Sequence, residues 1–125
     1  MKYIKQYEEL NLDEPEIGDY VVALDNDEDN TELNYFTSNN VGQISGIEYV
    51  EEPRSRQIYD EPKMVPMYVI RFDNITDDIK RFFNWHITDT NIKTDRRGFY
   101  ISEILYHSKN KEAVITYIKA SKYNL

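Results

Sequence analysis

Short alternating runs of apolar and polar residues set the pattern of this chain. Ile17 to Leu24 alternates cleanly, with Tyr20, Val22 and Leu24 on one face and Val21 and Ala23 on the other. A strand with apolar residues on both faces must be covered on both sides. Val41 to Val50 predicts a second strand, in which Ile44 and Ile47 are out of phase for a period of two. Gly46 between them predicts a bulge or sharp bend. Met67 to Asp73 is the plainest strand: Tyr68, Ile70 and Phe72 share one face, and Val69, Arg71 and Asp73 the other. Phe99 to Ile104 reads as a fourth strand, with Leu105-Tyr106-His107 as a short fifth.

Between the strands the period changes. Tyr3, Tyr7 and Leu10 fall at helical spacing in a leader, residues 1–14, that stops before Pro15. Leu33 to Asn40 predicts one helical turn that packs Tyr35 and Phe36 inward. Ile75, Ile79, Phe82 and Phe83 form a helical stripe capped by Asn74 or Thr76. Residues 51–66, with Pro53, Pro62 and Pro66, and residues 88–98 read as polar connections. A last helix is expected from Lys109 to Lys122, with Ser108 as its cap and Ala113, Val114, Tyr117 and Ile118 as its apolar stripe. The predicted organisation is a single domain: leader 1–14, a β-rich body 15–107 and a terminal helix 108–125.

Composition narrows the picture. The 125 residues suffice for a core without staples. The chain has no cysteine, which removes disulfide and thiolate chemistry. Its opening residues carry no apolar run of signal-peptide length, and no run approaches a membrane span. The sequence therefore predicts a soluble, cytoplasmic protein without a membrane partner. There are 14 Ile, 11 Asn and 11 Tyr against 3 Ala, 4 Gly and 4 Pro, a usage that follows AT-rich codons. Residues 1–62 hold 16 acidic and 4 basic side chains, a net of −12, whereas residues 63–125 hold 7 and 11, a net of +4. Oppositely charged halves attract each other within one domain or present two surfaces.

Few residues point to chemistry. Asp25, Asp27 and Asp29 alternate like calcium ligands, but the position that needs glycine is Asn30 and the one that needs a bidentate carboxylate is Phe36. His86 and His107 stand apart, with no cysteine beside them. Phosphate-binding glycine patterns, nucleophile elbows and zinc signatures are missing from the sequence. The expectation is no enzyme, no cofactor and no metal. Arg96-Arg97 beside Phe99 and Tyr100, and Lys80-Arg81 beside Phe82 and Phe83, make a basic-aromatic mixture. With an isoelectric point near 4.7, that mixture is expected to pair with the acidic half rather than with nucleic acid. Tyr35, Phe36, Trp85, Arg96 and Arg97 are the candidate binding residues for a protein partner. An alternative uses Asp25, Asp27, Glu28, Asp29 and Glu32 as an acidic surface that imitates DNA phosphates.

Two resemblances follow from these segments. Gly18-Asp19-Tyr20-Val21, Val41-Gly42-Gln43-Ile44, Tyr68 to Phe72 and Phe99 to Ile104 resemble the small SH3-like barrels, including the KOW type. This implies an α+β fold: a small, strongly bent barrel with the C-terminal helix packed on it, in a module that binds rather than catalyses. The sequence departs from nucleic-acid-binding members in lacking basic residues around Gly42. Met1-Lys2-Tyr3-Ile4, Glu16 to Val21 and Ser108 to Glu112 are similar to small proteins of tailed phages and AT-rich bacteria, a family that carries no activity to transfer. The implied function is a phage-encoded protein-interaction module; the acidic alternative implies an inhibitor of a host nucleic-acid-acting defence complex.

Overall fold

The computed structural model describes residues 14–27, 29–52, 63–83, 85–88 and 91–123; for 85–88, 91–93 and 123 it describes the backbone alone. The fold is α+β. Strands β1 (Tyr20–Ala23), β2 (Gly42–Glu51), β3 (Met64–Phe72), β6 (Arg96–Tyr100) and β7 (Ile104–Ser108) form an antiparallel sheet in the order β6-β3-β2-β1-β7. Strands β4 (Trp85–Thr88) and β5 (Asn91–Lys93) make a separate hairpin. Helix α1 (Thr31–Asn39) follows β1, and helix α2 (Lys111–Tyr123) ends the described chain. No ladder joins β6 to β7 among the described residues, so the pairing is that of an open sheet rather than the expected closed barrel. A 3-10 turn, Ile101–Glu103, carries the chain from one edge strand to the other.

Alternation along β1 divides the core. Val21 and Ala23 enter a main cluster with Leu33, Ile44, Tyr68, Ile70, Phe72, Ile79, Phe83 and Phe99. Val22 enters a second cluster with Val114 and Ile118 of α2, against which Tyr20, Tyr106 and Tyr117 pack. Tyr20 and Val22 therefore pack apart from Tyr68, Ile70 and Phe72, and Ile101 is 51% exposed in the 3-10 turn. In the main cluster Phe72 meets the rings of Phe36, Phe83 and Phe99 edge-on, at centroid separations of 5.6, 5.6 and 6.4 Å. These are favourable quadrupole geometries.

The bulge in β2 lies where Gly46 predicts it. Ile44 pairs with Ile70 and Gly46 with Val69, so one extra residue is inserted between them. That insertion brings Ile44 and Ile47 onto the same face, and both reach the main cluster. Gly42 is needed for close approach: a Cβ there would fall against Ile70 Cγ2 and within 2.8 Å of the Phe72 ring. A bulge in β1–β7 between Val22 and Ala23 leaves Leu105 unpaired and 45% exposed.

Several expected boundaries move. The first strand begins at Tyr20 rather than Ile17, because Gly18 (φ 97°) turns the chain and Asp19 N–H closes the turn onto the Glu16 carbonyl at 3.0 Å. The predicted loop 51–66 is shorter, since Glu51 and Met64 pair and Pro66 lies inside β3 opposite Tyr49. Phe72 N–H donates to Asp95 C=O, so even-numbered residues of β3 aim their N–H groups toward β6. Pro66 falls in that series beyond the reach of β6, which pairs from Met67 to Arg71, so no ladder bond is lost. The stripe Ile75, Ile79, Phe82, Phe83 builds no α-helix; turns and a 3-10 segment, Lys80–Phe82, still bury Ile79 and Phe83. The expected loop 88–98 contains β5 and most of β6, and the expected strand from Phe99 is broken by the 3-10 turn. In α2 the cap is Asn110, whose Oδ1 accepts the Glu112 N–H at 2.9 Å; Ser108 Oγ instead accepts the Asn110 N–H. The helical leader lies outside the described residues, apart from Glu14.

Phe72→Ala removes the ring that three others contact, and should cost on the order of 3–5 kcal/mol, measured by urea unfolding followed by circular dichroism. Asn110→Ala should cost about 0.5–2 kcal/mol in the same experiment. A larger loss from the cap than from the ring would contradict this assignment of the core.

Candidate functional site

The loop after β1 is built by its aspartates. Asp27 N–H donates to Asp25 Oδ1 at 2.9 Å, and Asp29 N–H to Asp27 Oδ1 at 3.0 Å. The alternation that imitates calcium ligands is thus a pair of Asx turns, each carboxylate accepting the amide two residues on. Asn34 of α1 completes the loop, its Oδ1 accepting the Asp25 N–H at 2.7 Å. Among the described residues no group of three or more acidic or histidine side chains gathers as a metal site.

Asp25 turns inward, its side chain only 10% exposed, and its Oδ2 lies 2.5 Å from Arg97 Nη2. Arg97 also donates from Nη1 to the Phe82 carbonyl at 3.0 Å, and its guanidinium lies 5.9 Å from the Phe82 ring and 5.7 Å from that of Phe99. The arginine therefore closes the edge of the aromatic core. Burial pushes the Asp25 carboxyl upward; the Asp27 amide, the Asn30 side chain and the Arg97 guanidinium outweigh it and hold the group below its ordinary 3.8. Glu103, 7% exposed, accepts the Tyr100 N–H at 2.9 Å on one oxygen and the Asn26 N–H at 2.8 Å on the other. It ties the 3-10 turn to the loop after β1.

These groups line a cleft of about 400 Å³ bounded by Asp25, Met67, Phe82, Arg96, Arg97, Gly98, Tyr100 and Glu103. Its charges are committed to the fold. Asp25 holds Arg97, Arg96 Nε lies 3.4 Å from Asp95, and Glu103 is satisfied by main-chain amides. What the cleft offers a ligand is shape, the half-buried Met67, Phe82 and Tyr100, and the backbone of β6.

The residues picked from sequence separate. Arg96 and Arg97 reach the cleft. Tyr35 is 75% exposed on α1, contrary to its expected inward packing, because the adjacent helical position Phe36 takes the inward direction against Phe72 and Phe83. Phe36 is thus a core residue. Trp85 lies in β4 and its side chain is outside what the structure describes, as are all of Glu28 and the side chain of His86. Of the acidic set, Asp27, Asp29 and Glu32 are exposed, and Glu32 sits 3.8 Å from Arg81. With Asp25–Arg97, this is the expected pairing of the acidic half with the basic half. His107 lies in β7, where the short fifth strand was expected, with Nδ1 3.4 Å from Asp19 Oδ2. Lys109 Nζ reaches the other Asp19 oxygen at 3.3 Å.

Met67, Gly98 and Glu103 were not singled out from sequence as site residues, and Phe82 and Tyr100 entered only as aromatic neighbours of the basic pairs. The spacing of Tyr100 and Glu103 is that of a capping box, hidden because tyrosine is not a usual cap residue. No family model, no curated protein and no solved structure matches the chain. Among the described residues no helix is long and apolar enough to cross a membrane.

Asp25→Asn should destabilise the protein by on the order of 1–3 kcal/mol near neutral pH, since Arg97 loses its charged acceptor. A carboxyl whose folded pKa is depressed stabilises above its unfolded value, and that stability is lost as pH falls through the folded value. The gap between the two proteins should therefore narrow below about pH 4, read from urea midpoints across an acid series. A gap that is constant down to the lowest pH would show that Asp25 carries no pH-dependent stability.

Proposed function

We propose that the chain is a non-enzymatic protein-interaction module of the SH3-like kind that engages its partner at the cleft between β6, the 3-10 turn and the loop after β1. The assembly of the motif-bearing runs at Tyr20, Gly42, Tyr68 and Phe99 into one antiparallel sheet is what supports the SH3-like reading. The 3-10 turn between the last two strands and the bulge that bends β2 support it further. The observation that carries the functional reading is the cleft itself. Asp25, Arg97 and Glu103 are engaged within the fold and Arg96 lies 3.4 Å from Asp95, while Met67, Phe82, Tyr100 and β6 line the cleft. Such a surface favours recognition by shape and main chain over proton transfer or counterion release. The AT-biased residue usage fits a phage-encoded protein acting in a host cytoplasm.

The acidic-mimic alternative loses Asp25, which is turned inward, and would rest on Asp27, Asp29 and Glu32. The two readings differ in salt dependence, because at about 1 M salt exposed charges are screened within about 3 Å. A partner retained from lysate of an AT-rich bacterial host should stay bound in that salt and after Asp27, Asp29 and Glu32 are reversed to lysine. It should be lost with Tyr100→Ala, with the fold checked by circular dichroism. Loss on charge reversal together with retention on Tyr100→Ala would transfer the function to the acidic loop.

A further inference from the structure

The core-facing side of the β2–β3 hairpin continues beyond the core. Ile47 and Tyr68 pair across the two strands, and both reach the main cluster. Side chains two positions apart in a strand share a face, as do direct cross-strand partners. The next pairs on that face are Tyr49 with Pro66 and Glu51 with Met64. Tyr49 is 67% exposed and Met64 55%, and Pro66 is half-buried. From Tyr68 to Met64 this strip runs about 13 Å, at about 3.3 Å per residue, and two strands make it about 10 Å wide. It shares no residue with the cleft.

The chain upstream of β1 enters beside this strip. Gly18 N–H donates to Ile44 C=O at 2.8 Å, and Glu16 N–H closes its turn on Asp19 Oδ2 at 3.0 Å. Pro15, just ahead of that turn, is buried. Burial first, then the Glu14 carboxylate and Tyr49, push the Tyr68 hydroxyl above its ordinary 10.0. Glu14 therefore stands near Tyr68, where the buried part of the face gives way to the exposed part. The leader ahead of it, outside the described residues, carries Tyr3, Tyr7 and Leu10 at the spacing of one helix face. Such a stripe is about 10 Å long, on a helix about 10 Å across with its side chains, and so matches the strip in size. Asn11 to Glu14 link Leu10 to Tyr68 with a reach of up to about 13 Å.

We propose that residues 3–10 lie as an amphipathic helix along the β2–β3 strip, running back from Tyr68 toward the hairpin end, with Tyr3, Tyr7 and Leu10 against Met64, Pro66 and Tyr49. A helix this short is marginal alone and needs such a surface. Tethering supplies the rest. A short linker gives an effective concentration of about millimolar, so a contact too weak for a free partner closes within the chain. A second copy is a poorer occupant, because the strip is far smaller than the roughly 800 Å² per partner of a stable interface. The connection between β2 and β3 offers Ile58 and Tyr59, which are adjacent in sequence and so do not face the same way. In the proposed direction Lys2 and Lys5 fall toward the end of the hairpin that carries Glu51 and Glu52, which is a favourable pairing of charge.

The test uses the full chain labelled with nitrogen-15, whose lack of cysteine permits a single site-specific spin label. Lys5→Cys carries a nitroxide on the side of the helix opposite the stripe. The oxidised label should broaden the amides of Tyr49, Glu51 and Met64 relative to the reduced label, and leave those of Arg96 and Gly98 sharp. The broadening should be the same at every protein concentration. It should be absent when spin-labelled nitrogen-14 chain is mixed with unlabelled nitrogen-15 chain. Adding Tyr7→Asp should abolish it with the amide pattern of the sheet kept; Tyr49→Asp, at an exposed position, should abolish it from the other side of the contact. Gln6→Pro should abolish it as well, because proline breaks a helix interior. Sharp Tyr49, Glu51 and Met64 amides beside the oxidised label would overturn the docking. Broadening in the mixed sample would also overturn it, by making the occupant the leader of a second copy. Broadening that survives Gln6→Pro would overturn the helix and put an extended segment on the strip.

Discussion

The contact on which the rest depends is the edge-on meeting of Phe72 with Phe36, Phe83 and Phe99. Each ring comes from a different element, so one side chain of β3 holds α1, the segment after β3 and β6 in register with one another. The constraint reaches outward in two directions. Gly42 has to lack a side chain because the Phe72 ring and Ile70 occupy the space beside it. Arg97, lying near the Phe82 and Phe99 rings, closes the edge of the same aromatic group and in doing so holds Asp25 and the loop after β1. The cleft is where that closure meets the sheet edge.

Much of this was legible in the sequence, for reasons that differ by element. The face Tyr68, Ile70, Phe72 is read correctly because β3 lies between two strands, and a period of two is then enforced by burial on one side. The out-of-phase Ile44 and Ile47 give away the bulge because both had to reach one core. The apolar stripe of α2 is plain for the same reason: Val114 and Ile118 meet Val22, although the cap proved to be Asn110. By contrast, the stripe from Ile75 to Phe83 has helical spacing but forms a 3-10 turn, since its spacing records which side chains are buried and not which hydrogen bonds bury them.

The cleft was less visible, because its parts are distant in sequence and ordinary in type. Arg97 and Asp25 are 72 positions apart, and nothing local marks them as partners. The opposite charge of the two halves predicts that such pairs exist but not which they are. Gly98 and Tyr100 reach the cleft because the register of β6 on β3 sets Tyr100 beside Met67, and register is a property of pairing. Tyr35, an attractive aromatic in one dimension, ends outside the core because its neighbour Phe36 takes the inward position on the helix.

Strand β1 belongs to two packing units at once. Val21 and Ala23 belong to the aromatic side, and Val22, with Tyr20 packed beside it, to the layer formed with α2. Its ladder to β2 has two paired positions and its ladder to β7 has four. The four residues of Tyr20–Ala23, with Ile104 of β7 packed against the aromatic cluster, thus couple the two units. A disturbance there therefore weakens the coupling between α2 and the aromatic core, so that local opening of the terminal helix needs less than global unfolding.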